Sequence, residues 1–273
     1  MPRARTQPAP EVAWSARQYQ QFEDERTRPA RDLLAALPAL DARLAIDVGC
    51  GPGNSTELLA ARFPRATVNG FDASADMIEA ARKRLPALRF EIADVAQWAR
   101  ADAAPAQDSF DVILANAVLQ WVPRHAELFP ALIAKLARGG ALAVQMPDNL
   151  SEPAHRLMRE IAAAAPWSDK LAGAAAARAL VQGADWYYEL LRSSCAKVDV
   201  WRTTYYHPLA GGEHAVVDWF KGSGLRPFLE PLDDAERASY LARYAAALKS
   251  AYPPLPDGTV LLPFPRLFIV AQR

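Results

Sequence analysis

The chain has 273 residues, 51% of them hydrophobic, with 31 basic side chains balanced by 31 acidic ones. Zero net charge excludes the global basic field of a nucleic-acid or anionic-membrane binder, and no apolar run approaches the ~20 residues of a membrane span. Two cysteines, Cys50 and Cys195, make no disulfide framework and read as reduced thiols in a cytoplasmic protein.

In chain order, residues 1–10 carry Arg3 and Arg5 without an apolar stretch behind them, which predicts a frayed tail rather than a signal peptide. Trp14, Tyr19 and Phe22 then suggest an aromatic, amphipathic N-terminal helix. Apolar runs at 44–48, 67–71, 88–92, 110–115 and 140–146 predict strands. Helical spacing at 54–62, 75–85 and 125–136 predicts the helices between them. Alternation of this kind implies βαβ units, a parallel sheet, and ligands at the carboxyl ends of the strands. Further on, 152–165 and 172–191 read as Ala-rich helices, 195–206 as a long strand, 213–221 and 233–251 as helices, and 266–272 as the last strand. The Pro-rich stretch 253–258 reads as a linker back to the sheet.

The densest signal is Asp47-Val48-Gly49-Cys50-Gly51-Pro52-Gly53-Asn54. A strand breaking into glycines and then a helix makes a notch where backbone amides approach a ligand closely. A dinucleotide fingerprint needs its third glycine where Asn54 stands. Gly49-x-Gly51-x-Gly53 with Asp47 two residues earlier instead resembles motif I of class I S-adenosylmethionine-dependent methyltransferases. The resemblance implies that this loop cradles the methionine part of the cofactor. Asp72, ending the second strand, offers an acid for the ribose hydroxyls, with a helix N-cap at Asp72 or Ser74 as the alternative. Asp94, after the third strand, falls where such enzymes meet the adenine amino group, with a solvated carboxylate as its alternative. Asn116 and Trp121 follow the fourth strand, where the class lines the gap between cofactor and substrate. A tryptophan face there suits a sulfonium, though core packing also accounts for it. Trp14 and Tyr19 are placed over the cofactor. Cys50, Ser55, Ala73, Met77, Val95 and Ala117 complete the cofactor-side set.

Over nearly its whole length after the tail the chain resembles trans-aconitate 2-methyltransferases. The segments that carry this are Glu25–Ala30, Asp47–Thr56, Asn116–Trp121, Leu142–Asn149, Trp201–His207, Gly224–Pro227 and Phe264–Val270. The resemblance implies methyl esterification of a carboxylate of trans-aconitate, with S-adenosylhomocysteine as co-product. A carboxylic acid of pKa near ~4 is already ionised at neutral pH, so no general base is required and none is assigned. Aiming the carboxylate at the methyl group supplies on the order of 7–11 kcal/mol. Burying the other carboxylates requires cations and donors. Arg226, in a Gly/Pro-bracketed turn, is the first choice for that role because guanidinium offers a bidentate fork, and Arg266 is the second. Gln145, Asn149, Tyr187, Tyr205 and Tyr206 are further substrate-side candidates. His207 is a possible donor, and no metal is expected.

The expected fold is α/β, a Rossmann-like seven-stranded class I methyltransferase sheet with an inserted helical cap and the last strand antiparallel to its neighbours. The parts are a tail and cofactor-covering helix (1–34), the cofactor-binding core (35–148), cap segments (149–193 and 208–258) and two returning core strands (194–207 and 259–273). A small-molecule tricarboxylate is the expected partner, without nucleic acid or membrane. Alternatives are another small-molecule or carrier-bound carboxyl O-methyltransferase, a non-catalytic nucleotide-binding module, and an NAD-dependent oxidoreductase.

Overall fold

A computed structural model describes residues 23–101, 109–174, 177–178 and 180–273. Among them a seven-stranded sheet runs in the order β3-β2-β1-β4-β5-β7-β6. Its strands are β1 (Leu44–Val48), β2 (Thr67–Asp72), β3 (Arg89–Ile92), β4 (Phe110–Asn116), β5 (Leu136–Pro147), β6 (Lys197–Ala210) and β7 (Thr259–Gln272). The pairings among β1 to β5 are parallel, and β7 is antiparallel to both β5 and β6. The outward step from β1 to β2 and back to β4 opens a crevice at the carboxyl ends of the central strands.

Strand alternation divides the core between two faces. Ile46, Val48, Ile113, Ala115, Leu142, Val144, Leu267 and Ile269 share one apolar cluster with Leu128, Phe129 and Leu132. Those last three come from α5 (His125–Ala134). Ala45, Val112, Leu114, Ala143, Phe268 and Val270 face the other way, against Leu33, Leu34 and Leu59. These belong to α1 (Glu23–Ala35) and α2 (Asn54–Arg62). Burial on both faces is why the strands read as near-continuous apolar runs. α3 (Ala75–Arg84) starts at Ser74, whose hydroxyl accepts from Met77 N, and ends on Arg82, Lys83 and Arg84. That polarity suits the helix dipole at both ends. A short α4 (Val95–Arg100), capped by Asp94, has no counterpart among the predicted elements.

β6 and β7 outrun the sheet. β5 and β7 stop pairing at Pro147↔Arg266, whereas β6 and β7 continue to Ala210↔Thr259. The projecting ribbon holds Leu209, Val260, Leu262 and Phe264. Around them pack α6 (Pro153–Ala162), α8 (Gly212–Lys221), α9 (Arg226–Leu229) and α10 (Asp234–Ala251). This second core is the cap. Three tyrosines of its long helix and the residue that ends it pin α6: Tyr240 Oη donates to Met158 O at 2.8 Å, Tyr244 Oη to Ala154 O at 3.2 Å, and Ala154 N donates to Tyr252 Oη at 3.0 Å.

Three expectations are corrected. Residues 172–191 do not make one helix; only α7 (Ala184–Leu191) is helical there among the described residues. That helix leaves the cap and packs Tyr187 and Leu191 into the sheet cluster beside Phe129, so the first cap segment ends before it. The strands predicted at 195–206 and 266–272 are each 14 residues long, and their extra length is the ribbon. Pro208, Pro263 and Pro265 disguised it in the sequence. Prolines are tolerated where a strand side has no neighbour to bond, and β7 has lost β5 at that point.

Candidate active site

β1 ends at Val48 and the chain turns through Gly49, Gly51 and Gly53, whose φ angles of 69°, 54° and 93° are left-handed. L-residues avoid that region, which is the local reason for the spacing. A Cβ on Gly49 would also collide with Val118, whereas one on Gly51 would meet nothing within 4 Å. The loop is therefore closed on the β4 side and open at Gly51.

Two carboxylates hold this notch. Asp47 is fully buried and its Oδ2 accepts from Ser55 Oγ and Thr56 Oγ1, both at 2.7 Å, tying the strand to the first turn of α2. Its Oδ1 is buried with no hydrogen-bond partner among the described residues. Burial raises its pKa to about 7 against the pull of the two hydroxyls, and nearby Asp72 adds to the rise. Asp72 Oδ2 accepts from Gly51 N at 3.0 Å and Oδ1 from Ser74 N at 2.9 Å. One amide per oxygen leaves each with lone-pair capacity for a further donor. Burial raises its pKa while the Ser74, Gly51 and Ala73 amides oppose the shift.

After β4 the backbone passes through Ala117 at φ 56°, a conformation costing on the order of 1–2 kcal/mol for a residue with a Cβ. Ala117 N donates to Gln145 O at 2.8 Å and Gln120 Nε2 to Ala117 O at 2.6 Å, which hold the strained turn. Beyond it opens a cleft between sheet and cap, enclosing about 600 Å³ with its solvent mouth. Its walls include Ala117, Gln120 and Trp121 from the sheet side, Trp219 and Gly224 from the cap, and Arg178 and Arg266. No Asp or Glu lines it among the described residues.

Both guanidiniums are set by neutral partners. Arg266, on β7 and 3% exposed, donates through Nη1 to Gln145 Oε1 at 3.2 Å and lies over the Phe264 ring at 4.7 Å. Arg178 donates through Nη1 to Asn149 Oδ1 at 3.0 Å and to His155 Nε2 at 3.3 Å, and through Nη2 to Pro147 O at 3.1 Å. Its Cζ sits 5.5 Å from the Trp121 ring centroid. Burial pushes its pKa down to about 10, against Asp148 and with Arg159. Burial, with Arg178 and Arg159, also holds the His155 pKa well below its usual value. His155 is thus a neutral acceptor at Nε2.

A methyltransferase domain model matches residues 46–142. The trans-aconitate 2-methyltransferase of Methylobacterium nodulans is 55% identical over 95% of this chain and 98% of its own length. That of Rhodopseudomonas palustris strain BisB5 is 54% identical over 95% and 99%. This chain belongs to the trans-aconitate 2-methyltransferase family. Solved structures agree on the fold. YcgJ from Bacillus subtilis superimposes with TM-score 0.57 at 12% identity, covering 90% of this chain and 98% of that one. Phosphoethanolamine N-methyltransferase 2 of Haemonchus contortus, in complex with S-adenosylhomocysteine, gives 0.55 at 14%, covering 94% and 57%.

In this trans-aconitate 2-methyltransferase family member the cofactor-side residues gather at adjoining strand ends. The glycine loop, Asp72 and Ala73 meet through the Gly51 bond, and Asn116 and Val118 close the β4 side. Asn54 is buried in the first turn of α2 with Oδ1 unpartnered among the described residues, and Ser55 is committed to Asp47. Cys50 and Met77 are buried behind the loop. Asp94 follows β3, where Ala93 N bonds Asp72 O, and caps α4 through Gln97 N at 2.8 Å, with Val95 buried beneath. Trp14 and Tyr19 lie outside the described residues.

The substrate-side candidates are redistributed. Gln145 and Asn149 reach the cleft, each as the acceptor that positions an arginine. Tyr205 and Tyr206 are neighbours on a strand and must face opposite ways. Tyr205 turns to α1, donating to Asp32 Oδ2 at 2.6 Å, and flanks Arg266 at 5.9 Å; Tyr206 is exposed. Tyr187 is fully buried in the sheet core with its hydroxyl on His125 Nδ1 at 2.6 Å, because α7 packs on the sheet. His207 stacks on Trp219 within the cap. Arg226 is not among the cleft-lining residues; it meets Glu230 one helical turn later at 3.4 Å. The residue that sequence reasoning missed is Arg178, which lies outside any regular element and any recognised motif.

Proposed function

We infer that this chain transfers the methyl group of S-adenosylmethionine to a carboxylate of trans-aconitate, giving a monomethyl ester and S-adenosylhomocysteine. The observation that carries the reading is the cleft beside the glycine notch: two guanidiniums, no carboxylate in the described lining, and Trp121 between notch and cap. Family membership at 53–55% identity to enzymes named for this reaction supports it.

The residues present suit the methyl donor. Asp72 has acceptor capacity for a ribose, the face at Gly51 is open, and Asp47 Oδ1, Asn54 Oδ1 and Asn116 Oδ1 are buried acceptors without a partner among the described residues. A cationic amino-acid group satisfies acceptors of that kind. When bound, the donor supplies an electrophilic methyl on a sulfonium. The protein's own work is then positional. Arg178 and Arg266 neutralise carboxylates that would otherwise be prohibitive to bury. Ala117, Gln120 and Trp121 shape the passage between notch and cleft. Asp47 already anchors the Ser55 and Thr56 hydroxyls and Asp72 the Gly51 and Ser74 amides, and the reacting carboxylate arrives ionised, so no proton is removed.

The same reading makes the partner a small tricarboxylate and places the enzyme in the cytoplasm, which its two free cysteines support. No helix of the described residues is long and apolar enough to cross a membrane. Incubating the protein with methyl-labelled S-adenosylmethionine and trans-aconitate tests the assignment. A singly methylated aconitate ester with stoichiometric S-adenosylhomocysteine is expected. Absence of ester from a protein that binds S-adenosylhomocysteine would refute it.

A further inference from the structure

The substrate cleft has a second lobe that the reaction alone does not require. Behind Arg178, on the cap side, lies a smaller hollow lined by Leu150, His155, Arg159, Arg178, Gly224 and Phe228 among others. It shares His155, Arg178 and Gly224 with the main cleft, so the two adjoin across these residues. Arg159 and Arg178 flank the neutral His155, and the lobe's described lining holds no Asp or Glu. Arg159 gives Nη2 to Leu150 O at 2.7 Å. The one carboxylate that acts on Arg178, Asp148, faces Arg202, which donates to it through Nε at 2.8 Å.

Among the described residues these two like charges flank a buried imidazole and donate to neutral acceptors, and Asp148 offsets the charge on Arg178 only in part. Arg178 Nε is a buried donor with no acceptor among the described residues. The ring of His155 packs directly on Gly224: a Cβ there would stand 2.6 Å from its Cε1, so only glycine leaves space for it. The three bonds from Nη1 and Nη2 fix the guanidinium plane, so the charge is held in place rather than mobile.

We propose that this lobe is a dedicated seat for a carboxylate that is not methylated, and that Arg178, backed by His155 and Arg159, is the residue by which the enzyme selects a tricarboxylate over acids lacking that group. Arg178 thereby acts in specificity, and Asn149 and His155 are its positioning residues. The proposal rests on the carboxyl-methylation reading above and deepens it.

trans-Aconitate is a fumarate bearing a carboxymethyl arm. Mesaconate lacks the arm's carboxylate, and itaconate lacks the carboxylate on the CH= carbon. Initial rates with all three acids are measured for the wild type, Arg178→Ala and Arg178→Lys; an acid that is not turned over is measured as a competitor of aconitate. S-adenosylhomocysteine affinity reports folding. For Arg178→Ala, kcat/KM with trans-aconitate is expected to fall roughly ten- to hundredfold, the cost of a charge-assisted contact, with cofactor-product affinity within about twofold. One dicarboxylate, the one that keeps the seated group, falls equally, and the other is unchanged. Arg178→Lys, which keeps the charge but not the fork, shows the same order with a smaller loss. Equal losses on all three acids, or none, would overturn the proposal. If the wild type makes no ester, the methylation reading fails by itself. The lobe is then judged by the thermal shift that trans-aconitate produces on the S-adenosylhomocysteine complex: its loss in both variants supports the seat, and its persistence refutes it.

Discussion

Single side chains divide the notch's chemistry between anchoring and waiting. Asp72 anchors Gly51 and Ser74 through one amide per oxygen. Asp72→Ala removes both anchors and the ribose acceptor together, so S-adenosylhomocysteine Kd is expected to rise about tenfold or more, two charge-assisted bonds being at stake. Calorimetric titration measures this, and near-normal affinity would remove Asp72 from the notch. Asp47 carries a pH signature. Its folded pKa of about 7 exceeds the ordinary value of 3.8. Between those values the unfolded chain loses the proton first, so stability falls as pH rises through the interval and levels off above it. Asp47→Asn has no such slope. In ligand-free urea unfolding the variant should gain on the wild type by a few kcal/mol from pH ~4 to pH ~8; parallel profiles would contradict the protonated, buried carboxyl.

Helices here begin where the sequence says they should when a cap is present. Asp233 and Glu236 form a reciprocal capping box at the start of α10: Glu236 N donates to Asp233 Oδ1 at 2.9 Å and Asp233 N to Glu236 Oε2 at 3.0 Å. Asp233→Ala is expected to cost about 1 kcal/mol, seen as a lower urea midpoint without loss of cofactor-product binding. A change in that binding would mean that α10 does more than build the cap. β1, α2 and α8 were legible for a related reason: local apolar spacing and glycine punctuation coincide at their ends. The ribbon of β6 and β7 was not. Its prolines interrupt the strand pattern, and they are harmless because Pro263 and Pro265 lie where β5 has already ended and Pro208 lies on the edge strand β6.

Two cores meet at the cleft. One lies on the sheet, the other in the cap, and residues of both line the space between them. A ligand seated there binds only the closed, folded arrangement. With S-adenosylhomocysteine present, trans-aconitate at about one hundred times its Kd should stabilise the protein by ~2.7 kcal/mol. Thermal unfolding against aconitate concentration checks it, and an unchanged midpoint would mean that the acid does not bind the folded protein. The charge pattern is likewise a property of the whole. The chain is neutral overall, yet the cleft concentrates cations and keeps acids such as Asp148 and Glu230 on outward partners. Low-dielectric walls strengthen such a local field far beyond what net charge suggests.

The amino-acid order alone was sufficient for the crossover architecture, the glycine notch, the acids at successive strand ends and the family. Each of these is written in short-range periodicity or in a contiguous motif, and local sterics at Gly49 and Gly51 enforce it. Which arginines line the cleft was decided by the tertiary structure. Arg226 sits in the more conspicuous motif, but its helix turns it toward Glu230. Arg178 sits in none, and only the folding of the cap onto the projecting ribbon brings it beside Asn149, His155 and Trp121. Convergence of charge depends on contacts between segments distant in the chain, and no local spacing encodes it.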